Sequence, residues 1–98
     1  MPIAALTVEL SIPLSRSLKD RRQVVRSMKD RLRQGFNVSI AELDEAITWQ
    51  SATLGIAAIS SSRDYLRGLM EEVEQAATRF AAENGAEVTD AFWDFVES

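Results

Sequence analysis

The sequence predicts a two-layer α+β sandwich of ferredoxin-like type, with element order βαββαβ and one antiparallel sheet, as a single domain over residues 1–98. Three observations carry that expectation. Segments near residues 3–12, 36–41 and 50–59 alternate apolar and polar side chains, the period of a strand with one buried face. Two further segments repeat apolar residues every three to four positions, the period of a helix that packs on a core along one side. A chain of 98 residues is also long enough for one modest core without staples.

In the first segment Leu6, Val8, Leu10 and Ile12 alternate with Thr7, Glu9 and Ser11, and Pro13, which has no N–H to give a ladder, ends the strand. The first helix begins at Leu18. Ser17 precedes it as N-cap, and Asp20 sets an acid in the first turn. Leu18, Val24, Val25, Met28 and Leu32 share an arc of about 120° on the helix wheel, the width of a packed face, with Arg21 expected to snorkel from its edge. Gly35 is expected to close the helix as a left-handed C′ residue.

Phe36, Val38 and Ile40 then face inward on a second strand, with Asn37, Ser39 and Ala41 outward. An acidic turn over residues 42–48 joins it to a third strand, where Ala52, Leu54, Ile56 and Ala58 share one face, and the short polar link makes the pair a hairpin. Ser60, Ser61 and Ser62 offer N-caps for the second helix, with Asp64 completing a box from Ser61. That helix buries Leu66, Leu69, Met70, Val73, Ala77 and Phe80, and ends near Asn84 at Gly85. On a last strand Val88 and Phe92 are expected inward. Asp90 shares their parity, which calls for a bulge, an edge position or an early end.

Charge is distributed unevenly over this frame. Between Arg16 and Ser39 lie eight of the eleven basic residues and only Asp20 and Asp30 as acids, a local charge of +6; the rest of the chain carries three basic and thirteen acidic residues, or −10. Lys19, Arg22, Arg26, Lys29 and Arg33, spaced 3, 4, 3 and 4, fall within about 80° of one another and form a stripe roughly 21 Å long beside the apolar arc. A merely solvated face interleaves both signs for i,i+4 pairing. This stripe repels itself, which an anionic partner would relieve.

The composition closes off several chemistries. Neither cysteine nor histidine is present, so disulfides, thiolate metal sites and the commonest general base are absent. An RNA-recognition motif needs aromatic side chains on its central strands, whereas the outward positions here are Asn37, Ser39, Ala41, Ser51, Thr53, Gly55 and Ala57. An acylphosphatase-like site needs a glycine-rich anion loop and a positioned asparagine; residues 13–17 offer Arg16 and Ser17 at a helix N-terminus, a candidate anion site, but no glycine, and Asn37 sits on the wrong strand. Glu42, Asp44 and Glu45 are oxygen donors of the kind Mg²⁺ or Ca²⁺ takes, yet lack EF-hand spacing. No catalytic residue, metal or other cofactor is expected. The N-terminal residues lack a basic n-region, and no apolar run reaches membrane-spanning length, so a cytoplasmic protein without membrane association is expected.

The runs SLKDRRQVVRSMKDRLRQGFNVSIAEL and TWQSATLGIAAIS resemble the YlxP-like proteins, small bacterial proteins of unknown function. Resemblance covers most of residues 6–60; residues 61–98 match in pattern only. It implies a ferredoxin-like fold and genes placed among those for translation, near initiation factor 2 and ribosome-binding factor A, with no known enzymatic activity. The chain departs from the family's Asp-His-Gln-Asp-Leu run before Trp-Gln, keeping Asp44 but carrying Glu45, Ala46, Ile47 and Thr48, so no role can rest on that histidine. Ser51 also stands where an arginine is frequent.

Two readings follow. The first is a non-catalytic RNA- or ribosome-associated protein, assisting ribosome maturation or translation, that docks Lys19, Arg22, Arg26, Lys29 and Arg33 on phosphates. The second is a homodimeric protein-interaction module whose small-residue sheet face, including Trp49, Ser51, Thr53 and Ala57 and flanked by Leu43, Ile59 and Trp93, is covered by another chain.

Overall fold

The computed structural model describes residues 1–96 and contains β1 (Ile3–Ser11), α1 (Leu18–Gly35), β2 (Ser39–Glu42), β3 (Ser51–Ile59), α2 (Arg63–Glu83) and β4 (Glu87–Phe95). Each adjacent pair in the sheet, ordered β2-β3-β1-β4, is antiparallel. This is the ferredoxin-like arrangement. Both helices cover one face of the sheet, and the core between the layers is built from Leu6, Val8 and Leu10 of β1, Leu54 and Ile56 of β3, Val25, Met28 and Leu32 of α1, and Leu66, Met70 and Val73 of α2. Among the described residues no helix is long and apolar enough to cross a membrane.

Helix ends follow their side-chain chemistry, with two departures from expectation. Ser17 Oγ accepts from the Asp20 N–H at 3.0 Å, and the Asp20 carboxylate in turn accepts from the Arg16 N–H at 2.9 Å, closing the first turn of α1. For α2 the cap is Ser62, which accepts from the Tyr65 N–H at 3.1 Å, and not Ser61. Gly85 terminates α2 with φ 71°, but Gly35 does not play that part in α1: it is the last helical residue, and among the described residues only Gly85 has positive φ. The chain leaves α1 through Phe36, an extended C-cap at φ −142° whose N–H reaches Leu32 O. A C-cap in extended conformation needs no glycine.

The second strand is shorter than its alternation implies. Phe36 and Val38 are half-buried against the core, but the ladder to β3 begins only at Ser39. Glu42, expected in the turn, is the last residue of β2 and is paired with Leu54, on the helix side of the sheet.

The bulge expected in the last strand is present, and it corrects two side-chain directions. Glu9 pairs with Asp90 but Leu10 pairs with Val88, so Thr89 is an extra residue. From that point the alternation flips: Val88, Ala91, Trp93 and Phe95 face the helices, whereas Phe92, opposite Thr7, is outward and 56% exposed. Trp93 therefore does not flank the open face; it lies on the helix side, its ring edge-on to Phe95 at 5.4 Å. The open face carries Ala5, Thr7 and Glu9 of β1, Thr53, Gly55, Ala57 and Ile59 of β3, and Asp90, Phe92 and Asp94 of β4. Leu43 folds back across its centre, so that a Cβ built on Gly55 would lie 2.8 Å from Leu43 Cδ1.

Candidate nucleic-acid interface

The stripe on α1 arises because the apolar positions fix which side of the helix is buried. Val25, Met28 and Leu32 are buried, and Val24 is partly so. Leu18, expected among them, is 47% exposed at the first helical position. The place it leaves in the i, i+4, i+7 series is taken by Arg21, which is not at the edge but 4% exposed.

Arg21 is held on all sides. Its Nη1 lies 2.5 Å from Glu42 Oε1, its Nη2 3.0 Å from Asp44 Oδ2, and its Nε donates to Ser51 O at 2.9 Å. Asp44 Oδ2 also accepts from the Thr53 N–H at 2.9 Å. The guanidinium thus ties α1 to both strands of the hairpin and to the loop between them, and its charge is met twice over. Glu42 and Asp44 are committed to this arginine, and among the described residues no group of three or more acidic side chains could hold a metal ion.

A second cation on the helix, Arg31, pairs with Glu83 of α2 and lies 4.0 Å above the Phe80 ring. Phe80 is accordingly half-buried rather than buried. Arg21 and Arg31 are the cations of α1 that make ion pairs with carboxylates; among the described residues none of Lys19, Arg22, Arg26, Lys29 or Arg33 does so. Lys19, Arg22, Arg26 and Arg33 are exposed and Lys29 is half-buried. Arg33 is positioned by its Nη2, which donates to Ile40 O at 3.1 Å.

Two shallow concavities run along the stripe. One is lined by Lys19, Arg22, Gln23, Arg26, Ser27 and Asp30; the other lies toward β2 and includes Lys29, Arg33 and Glu42. No aromatic ring lines either. At the start of the helix Arg16 is exposed, while the Ser17 hydroxyl is already engaged by Asp20 and the Asp20 carboxylate occupies the Arg16 N–H. On β3, Ser51 is exposed and Thr53 and Ala57 are half-buried on the open face; Trp49, in the loop after β2, is 54% exposed and stands apart from Trp93 and Phe95 on the helix side of β4.

The Arg21 cluster was the part of this region that sequence reasoning missed. Its signal was there in two places: Arg21 completes the series with Val25, Met28 and Leu32, and Glu42 shares the parity of inward-facing Ile40. Opposite charges aimed into one interior from two elements imply a pair.

Residues 3–92 match the family described as protein of unknown function DUF503, and the chain belongs to that family. A curated relative, the uncharacterized protein YlxP of Bacillus subtilis (strain 168), is 49% identical over 47 residues, a match covering 48% of this chain and 51% of the relative. The chain thus spans about half the length of the curated relative it matches. Among solved structures, the fold is similar to part of a dinuclear metal binding peptidase of the M20 family from Bacillus subtilis, with a TM-score of 0.62 at 11% identity, covering 95% of this chain and 25% of the other. It is also similar to a C-terminal segment of the alpha subunit of aIF2 from Pyrococcus abyssi, with a TM-score of 0.52 at 16% identity, covering 99% of this chain and 51% of the other. At such identities the likeness is one of fold.

Proposed function

We propose that this protein is a non-catalytic, cytoplasmic RNA- or ribosome-associated module that docks the exposed face of α1 on phosphates. One observation carries the reading: five cations run along one helix face without a carboxylate partner among the described residues, while the two other arginines of that helix are paired. Unrelieved, such a row costs self-repulsion; a phosphate backbone removes it and releases counterions. The acidic remainder of the chain repels the same polymer, so contact is confined to this face. The gene neighbourhood implied by the YlxP-like resemblance makes RNA of the translation apparatus the natural partner.

Arg22, Arg26 and Lys29 reversed together to glutamate should abolish association with RNA or ribosomal subunits and leave the thermal melting curve close to that of the unaltered protein, because none belongs to the buried arc. For the unaltered protein the log of the binding constant should fall linearly with log salt, with a slope of roughly −3.5 to −4.5 for five contacts at about 0.7 to 0.9 each. Association that persists in the reversed variant, or that ignores salt, would remove the stripe from the account.

A second reading is favoured by a separate observation. The open face of the sheet, with Ala5, Thr7, Gly55, Ala57, Ile59 and Phe92 uncovered and Leu43 lying across it, is poor in charge at its centre and suits a second copy of the chain. It lies on the opposite layer from α1, so the two readings are compatible.

A further inference from the structure

The geometry points to duplex RNA as the ligand of the α1 stripe, an inference that rests on the phosphate-docking reading and names the form of nucleic acid it takes. Three features distinguish a duplex from a single strand. The first is shape. The stripe lies on one face of a single helix, Leu18–Gly35, with two shallow concavities along it; a lone helix face of this kind fits the wide, shallow minor groove of an A-form helix.

The second is stacking. Proteins that hold single strands pair a basic groove with aromatic side chains on which bases stack, and that stacking offsets the ordering of the strand. No aromatic residue lines either concavity, and Phe80, the ring in contact with Arg31, is taken up between Arg31 and Arg79, whose guanidinium carbons lie 4.0 and 5.2 Å from its centroid. A row of cations without stacking favours phosphates that are already ordered, because less entropy is then lost on docking.

The third feature concerns sugar. Gln23 and Ser27 line the same concavity as Lys19, Arg22 and Arg26. Both side chains donate and accept, and both stand one row from the cations that would contact phosphate, where an A-form minor groove presents its 2′-hydroxyls. Arg33, fixed on Ile40 O, anchors the end of the row.

The test measures fluorescence anisotropy of the full chain with four labelled probes of one sequence at one salt concentration: an RNA duplex, each of its separated strands, and the corresponding DNA duplex. The RNA duplex should bind at least about tenfold more tightly than either strand or the DNA duplex, a difference of about 1.4 kcal/mol. Gln23→Ala with Ser27→Ala should narrow the preference for RNA over DNA duplex without changing the salt slope. Strands that bind as well as the duplex would overturn the duplex assignment while leaving phosphate docking intact, and equal binding of the DNA duplex would overturn the assignment to RNA. If no probe binds even at low salt, both this inference and the proposed function fail. An unchanged circular dichroism melt for the double variant shows that any change comes from the surface and not from the fold.

Discussion

Arg21 is where the physics of this protein is most concentrated, because it combines a buried charge with two partners of unequal exposure: the side chain of Glu42 is 30% exposed and that of Asp44 14%. Replacement of a buried cation leaves its carboxylates and a strand carbonyl without a donor, so Arg21→Met should destabilise by about 3 kcal/mol, the low end for a broken buried pair given how near Glu42 is to water. Arg21→Lys should lose less but still measurably, since one ammonium cannot reproduce a planar fork that spans two carboxylates and Ser51 O. Urea titration of the three proteins checks the order. The glycines offer a contrast at the same scale. Gly35 is helical with nothing within 4 Å of a built Cβ, so Gly35→Ala should stabilise by about 0.5 kcal/mol, whereas Gly85→Ala, at φ 71°, should destabilise by about 1 kcal/mol. Opposite shifts of the urea midpoint are expected.

At the level of elements, the competing cap serines of α2 can be separated. Ser62→Ala should cost about 1 kcal/mol by removing the acceptor for the Tyr65 N–H, and Ser61→Ala close to nothing; thermal melts of the two variants read the difference. The six elements of the described residues and their types were legible in the sequence, most clearly in β1, α1, β3 and α2, where several turns or pleats keep one unbroken period. What was not legible lay where one residue decides. A serine triplet gives three chemically equal caps, and the backbone picks one. Alternation in the last strand could announce a bulge through Asp90 but could not say that Thr89 was the extra residue, and so Phe92 and Trp93 were exchanged between faces. The five stripe residues were readable as one face because the apolar arc set the helix rotation. Arg21 was not, because a charged side chain inside an apolar series is explained only by partners more than twenty residues away, Glu42 at the end of β2 and Asp44 in the loop after it.

Across the whole molecule the basic side chains and the small residues are segregated to opposite layers, with Glu9, Asp90 and Asp94 as the acids of the open face. If the open face pairs with a second copy, as proposed, the unaltered chain should double its mass with rising concentration and Ala57→Arg, in the half-buried row between Ala5 and Ser39, should stay monomeric, as sedimentation equilibrium would show; a chain that stays monomeric without the substitution would remove the second copy from that face. On the phosphate-docking proposal the same substitution should leave RNA binding per chain unchanged, since Ala57 and the α1 stripe occupy different layers.

The placement of both helices on one side of the sheet bears on what such a pair could grip. Two copies joined through their open faces would carry their α1 ridges on the outer surfaces, directed away from each other. That assembly could not clamp one stem from both sides. It would act as a spacer between two stems, with the second contact made at an effective concentration set by how the RNA itself is folded, so that the distance between neighbouring helices of the target, more than its sequence, would decide where the protein settles.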